Sequence, residues 1–192
     1  MTKVKICGIR SIREIDICNK YEPDFIGFVF VKDRRRYISK ENALRLKKYL
    51  NKNIMSVGVF LNNPIEEVID IANSGAIDMV QLHGCEGENY IRDLRKRINI
   101  PVIKAYKDFV DCDFALFDNP KPGEGKTFDW DSIDSKNKDY FLAGGISKDN
   151  VLDALALHPY AVDASSSLEG PDGFKDEEKV KEFIRLVRNY EG

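Results

Sequence analysis

The sequence predicts an α/β protein, a compact single-domain (β/α)8 (TIM) barrel, on three observations. Eight short apolar runs rich in Val, Ile and Phe recur along its 192 residues. Helix-like segments stand between most of them, and chemically distinctive residues gather immediately after them. Near-continuous hydrophobicity suits strands covered on both faces, as in a parallel sheet. Strand–helix alternation points to a parallel α/β architecture, and a count of eight favours a closed barrel over an open doubly wound sheet. At about 24 residues per unit this is a stripped barrel, below the ~200–400 residues usual for the fold. No linker, low-complexity tract or strong repeat marks a second domain, so residues 1–192 read as one unit.

In "KVKICGIR", residues 3–10, Val4 and Ile6 alternate with Lys3 and Lys5 until Gly8 breaks the strand. "FIGFVF" (25–30) is the second strand. "SKENALRLKKYLN" (39–51) then predicts a helix capped by Ser39, with Ala43, Leu44, Leu46 and Leu50 at helical spacing. After the strand "MSVGVF" (55–60), "NPIEEVIDIANSG" (63–75) has Pro64 near its first turn and Gly75 past its end, the usual helix asymmetry. "MVQLHG" (79–84) leads into a helix in "EGENYIRDLRKRI" (86–98), and "PVIKAY" (101–106) and "FALFD" (114–118) are strands five and six. Residues 107–139 are the least regular, since "KDFVDCD" is too short for a full helix. "YFLAGG" (140–145) and "YAVDAS" (160–165) complete the strands, and the last helix, "DEEKVKEFIRLVRNY" (176–190), carries Val180, Phe183, Ile184 and Val187 on one face.

Lys plus Arg total 30 against 32 Asp plus Glu, for a net charge of −2, which gives no reason to expect nucleic acid or an anionic membrane as partner. No stretch approaches the ~20 apolar residues of a membrane span, and the N-terminus enters a strand without a signal-peptide core. The expectation is a cytoplasmic protein; monomer and homodimer both stay open. Cys7, Cys18, Cys85 and Cys112 show no CxxC pairing, which argues against structural metal and a disulfide framework.

In a barrel, function lies on the loops after the strands' C-terminal ends. Cys7 and Gly8 follow strand one, His83 follows strand four, Gly144 and Gly145 strand seven, and Ser165, Ser166 and Ser167 strand eight. Glycines and hydroxyls on loops seven and eight suit a phosphate cradle of backbone N–H groups. In "GEGKTFDW", spacing alone favours Asp129 as a helix cap, although a carboxyl beside Phe128 and Trp130 also suits a desolvated acid. Arg34, Arg35 and Arg36 follow strand two; physics alone does not choose which reaches inward to fork onto an anion. His83 and Asp163 read as positioning groups at the mouth. His158, Cys18 and Cys112 read as loop or packing residues, and Cys85 lacks an evident activating neighbour.

Taken in order, "VKICGIR", "GFVF", "RRYIS", "VGVF", "QLHG", "VIKAY", "GKTFDW", "LAGGI" and "VDASSSLE" resemble the phosphoribosylanthranilate isomerase family of tryptophan biosynthesis, through nearly the whole chain. "KICG", "QLHG" and "GKTFDW" in that order form a specific combination. The resemblance implies a small barrel without cofactor or metal, acting on a phosphorylated sugar–anthranilate by an Amadori rearrangement. It matches the catalytic base to Cys7, the catalytic acid to Asp129, the arginine for the anthranilate carboxylate to Arg36, and the phosphate loops to Gly144, Gly145 and Ser165, Ser166, Ser167. On this match Asp129 should titrate above the ~3.9 of a free Asp, and Cys7 needs cationic neighbours to draw it from ~8.5.

Three departures stand out. Ser167 occupies the place of a family glycine, with a backbone cost expected if φ there is positive. "PKPGEGK" has fewer glycines than the usual run before "GKTFDW", and the usual Ser-Pro before "RRY" is missing. A histidine-pathway sugar isomerase would place an aspartate at Cys7, and an indole-forming lyase would show catalytic lysines not found here. An idle phosphate-binding barrel would dispense with Cys7 and Asp129, which are both present.

Overall fold

The computed structural model describes residues 1–105, 112–119, 130, 133 and 139–191. All eight apolar runs form strands: β1 (Lys3–Cys7), β2 (Phe25–Val29), β3 (Met55–Phe60), β4 (Met79–Leu82), β5 (Val102–Ala105), β6 (Phe114–Phe117), β7 (Tyr140–Leu142) and β8 (Ala161–Ala164). They pair in chain order, all parallel, and the barrel closes where Lys5 of β1 stands opposite Asp163 of β8. The described helices are α1 (Ile12–Tyr21), α2 (Lys40–Lys47), α3 (Ile65–Asn73), α4 (Glu88–Arg95), α5 (Val151–Leu155) and α6 (Glu177–Arg188). The short "KDFVDCD" segment falls largely outside the described residues, as does Asp129 with its two alternative roles.

Local chemistry sets the helix boundaries. Ser39 caps α2 by accepting the Asn42 N–H at 3.3 Å, and Ser11 and Asp176 do the same for α1 and α6. Pro64 stands at the cap of α3 rather than inside its first turn, and Gly75 follows its end with φ +80°. Leu50 lies beyond α2 yet is still buried.

The period-2 alternation of strands then sorts side chains into two layers. Val4 and Ile6 face the helices, where α6 packs Val180, Phe183, Ile184 and Val187. Phe25, Val57, Met79, Ile103, Leu116 and Phe141 fill the barrel interior. Above this plug Gln81 and Asp163 bring polar side chains into the barrel among further apolar ones, and they place the site at the C-terminal end.

Candidate active site

A cavity of about 340 Å³ opens above the apolar plug. Cys7, Arg36, His83, Asp163, Gly144, Gly145, Ser165 and Ser166 all line it. Cys7 ends β1, half-buried, beside Gly27 of β2. Gly8 adopts φ +90°, a conformation that disfavours any other residue, and its N–H and that of Ile9 both donate to the Gly27 carbonyl at 2.9 Å. The turn leaves room for Arg36, whose Cδ lies 2.3 Å from where a Cβ at position 8 would be.

Arg34, Arg35 and Arg36 all line the cavity, and Arg36 is the least exposed of them, with its side chain 22% exposed against 54% for Arg35. Its Nε donates to buried Glu169 at 2.5 Å; Arg35 pairs with the other carboxylate oxygen and Lys175 approaches at 3.5 Å. Burial works against the Glu169 carboxylate, but Arg36, Lys175 and Arg35 together hold it below the usual range. Lys175, buried, also donates to the Ser165 carbonyl at 3.0 Å, and its own N–H is fixed by buried Glu14.

Gly144 and Gly145 both have positive φ, +85° and +69°, so the loop after β7 needs its glycines. A Cβ at 144 would come 2.7 Å from the Asn119 backbone nitrogen. Ser165 donates its hydroxyl to the Cys7 carbonyl at 3.0 Å. Ser167 does not line the cavity: its hydroxyl donates to the Ile146 carbonyl at 2.6 Å, lacing loop eight to loop seven. It lies in a 3-10 turn, Ser166–Leu168, and is not among the positive-φ residues, so the expected backbone cost is absent.

A polar chain crosses the cavity floor. Lys5 is wholly buried, pairs with Asp163 and donates to Gln81 Oε1 at 2.9 Å. Because an ammonium only donates, this fixes the Gln81 amide with its NH2 towards His83 Nδ1, 3.0 Å away. His83 turns Nδ1 to that amide and Nε2 to Asp118, 3.2 Å away. Asp163 keeps Oδ1 buried with no hydrogen-bond partner among the described residues. The loop bearing His83 is pinned by buried Glu86, which accepts from the Asn62 and Gly84 N–H groups and faces Lys104 at 3.6 Å. For Cys7, burial pushes the thiol up; Lys5 draws it down, Asp163 pushes up, and Lys175 and Arg36 draw down, leaving it raised.

The sequence marks Gln81 only as part of "QLHG" after strand four and does not single out Lys5, Asp118, Glu169 or Lys175. Of those four only Lys5 carries a signal, since the alternation in "KVKIC" puts it on the same side as Cys7. Cys18 and Cys112 are packing residues as expected, Cys85 is exposed, and His158 sits in a turn after α5 with φ +51°. Among the described residues no three His, Cys, Asp or Glu side chains group as a metal site, and no helix is long and apolar enough to cross a membrane.

The family model described as N-(5'-phosphoribosyl)anthranilate (PRA) isomerase matches residues 4–186. The chain belongs to this family. Its relative in Clostridium acetobutylicum, named N-(5'-phosphoribosyl)anthranilate isomerase, is 41% identical, with 99% of this chain and 100% of the relative covered. The crystal structure of the PRA isomerase from Thermotoga maritima superposes with TM-score 0.90 at 33% identity, covering 99% of this chain and all of that one. A further PRA isomerase structure, 32% identical with TM-score 0.83 and the same coverage, was solved in complex with reduced 1-(o-carboxyphenylamino)-1-deoxyribulose 5-phosphate.

Proposed function

We propose that this PRA isomerase family member converts N-(5'-phosphoribosyl)anthranilate to 1-(2-carboxyphenylamino)-1-deoxyribulose 5-phosphate, the Amadori step of tryptophan biosynthesis, in the cytoplasm. One observation carries the reading: a single cavity joins Cys7, Arg36 and the glycine and serine loops after β7 and β8. Arg36 spends Nε on Glu169, and its terminal nitrogens, without partners among the described residues, take the anthranilate carboxylate. Val29, Val31, Val59 and Leu61 line the same cavity and suit the aromatic ring. Gly144, Gly145, Ser165 and Ser166 hold the phosphate, so both ends are anchored while the middle reacts. Ser167 serves that cradle indirectly, by tying its two loops together.

Asp129 protonates the ring oxygen, the C1–O bond breaks, and a protonated Schiff base forms. The cation acidifies the proton on C2, which the Cys7 thiolate removes to give an enolamine. Protonation at C1 and loss of the C2 hydroxyl proton complete the isomer. Asp163 offers its second carboxylate oxygen to a sugar hydroxyl, and His83, set between Gln81 and Asp118, orients the opposite side.

Incubation of the protein with freshly made N-(5'-phosphoribosyl)anthranilate tests this reading through the loss of anthranilate-type fluorescence and the product mass. Enzyme-dependent loss with an isomeric product is expected. Binding without turnover would replace the isomerase with an idle phosphate-binding barrel.

A further inference from the structure

Lys5 is a buried charge that the proposed reaction does not use directly. It is wholly buried and stands opposite Phe25 of the apolar plug in the β1–β2 register. Burying an ammonium there is unfavourable unless anions and acceptors meet it. Asp163 and Gln81 do so, and Lys5 stands two residues before Cys7 on the same inward face of β1. Burial opposes its charge, but Asp163 and Cys7 outweigh burial and hold the ammonium above the ordinary lysine range.

We propose that Lys5 is a positioning residue for the base: locked between Asp163 and Gln81, its ammonium favours the Cys7 thiolate and leaves one Asp163 oxygen free for substrate. The proposal rests on Cys7 being the base. Every charge facing that thiol enters the balance. Lys5 is its principal cation, with Lys175 and Arg36 behind it, while Asp163 opposes. His83 and Asp118 act at one remove, through Asp163. Lys5 therefore does two things at once, since the contact that offsets Asp163 also draws down the thiol.

The test is the pH dependence of Cys7 alkylation by iodoacetamide, in a Cys85→Ser background because Cys85 is exposed whereas Cys18 and Cys112 are buried. Peptide mass locates the adduct. Lys5→Met should raise the alkylation midpoint and slow the reaction at pH 8 about tenfold, the equivalent of one pKa unit. Asp163→Asn should lower the midpoint, because Lys5 then faces the thiolate alone. A purely structural role would move both variants the same way. An unchanged or lower midpoint in Lys5→Met, or an unchanged or higher one in Asp163→Asn, overturns the proposal; if Lys5→Met does not fold, Asp163→Asn decides by itself. Loss of isomerase activity on alkylating Cys7 in the background protein upholds the base assignment. Retained activity removes that assignment, and the catalytic meaning of Lys5 with it, whatever the midpoints do.

Discussion

The Cys7 thiol occupies the space that a side chain at position 27 would need: a Cβ there would lie 2.6 Å from Sγ and 3.1 Å from the Cys7 Cα. Gly27 is thus the wall that sets where the thiol points. On the proposed role of Cys7 as base, Gly27→Ala should displace Sγ and lower kcat about 10²-fold, the cost of misplacing a reacting group by about an ångström. Binding of the product analogue should change far less, because Arg36 and the proposed phosphate loops stay in place. Equal losses in kcat and analogue affinity would show a general collapse of the mouth instead.

Glu169 ties Arg36, Arg35 and Lys175 into one clamp between loops two and eight. Glu169→Gln keeps the shape but loses the charge, so Arg36 should wander and KM should rise about tenfold or more, with a smaller change in kcat. Steady-state kinetics separates these outcomes, and a pure kcat effect would place Glu169 in the chemical step.

The same carboxylate makes stability sensitive to acid. Its folded pKa lies below the unfolded value of ~4.3, so its contribution is complete above that pH and fades as pH falls through the folded value. Urea midpoints at pH 6 and pH 3.5 should therefore differ less in Glu169→Gln than in the wild type.

Cys18 sets an alkaline limit. Burial, with a smaller push from Glu14 against Lys175, raises its thiol to about 12. A raised folded pKa stabilises below the unfolded value of ~8.5 and is lost as pH climbs from there towards 12. Between pH 8 and 10 the wild type should lose about 1–2 kcal/mol more than Cys18→Ala. An identical loss in both would assign the alkaline sensitivity to other groups.

Ser39 accepts the Asn42 N–H at the start of α2. Ser39→Ala should cost about 1 kcal/mol in chemical denaturation while leaving the mouth of the barrel, and hence activity, intact.

Much of this is legible in the sequence. The eight strands were visible because parallel strands buried on both faces must be apolar almost throughout. Ser39 and the Val180–Phe183–Ile184–Val187 face were visible because caps and helical stripes depend on near neighbours. Cys7, Arg36 and the two glycines emerged because the fold puts strand-end loops in one place and a family pattern marks them. The supporting shell stayed hidden. Lys175 meets Ser165, Glu169 meets Arg36 and Asp118 meets His83 across distances in sequence that no local pattern encodes. Ser167 would strain the backbone only at positive φ; a 3-10 turn takes it without one and gives its hydroxyl a carbonyl partner, a geometry that no local pattern announces.

The most direct test is single-turnover consumption of N-(5'-phosphoribosyl)anthranilate by wild type, Cys7→Ala and Asp129→Asn. If the two side chains transfer the protons, the wild type turns the substrate over rapidly and each variant slows at least ~100-fold while still binding the product analogue. Turnover that survives both substitutions would contradict the assignment of base and acid.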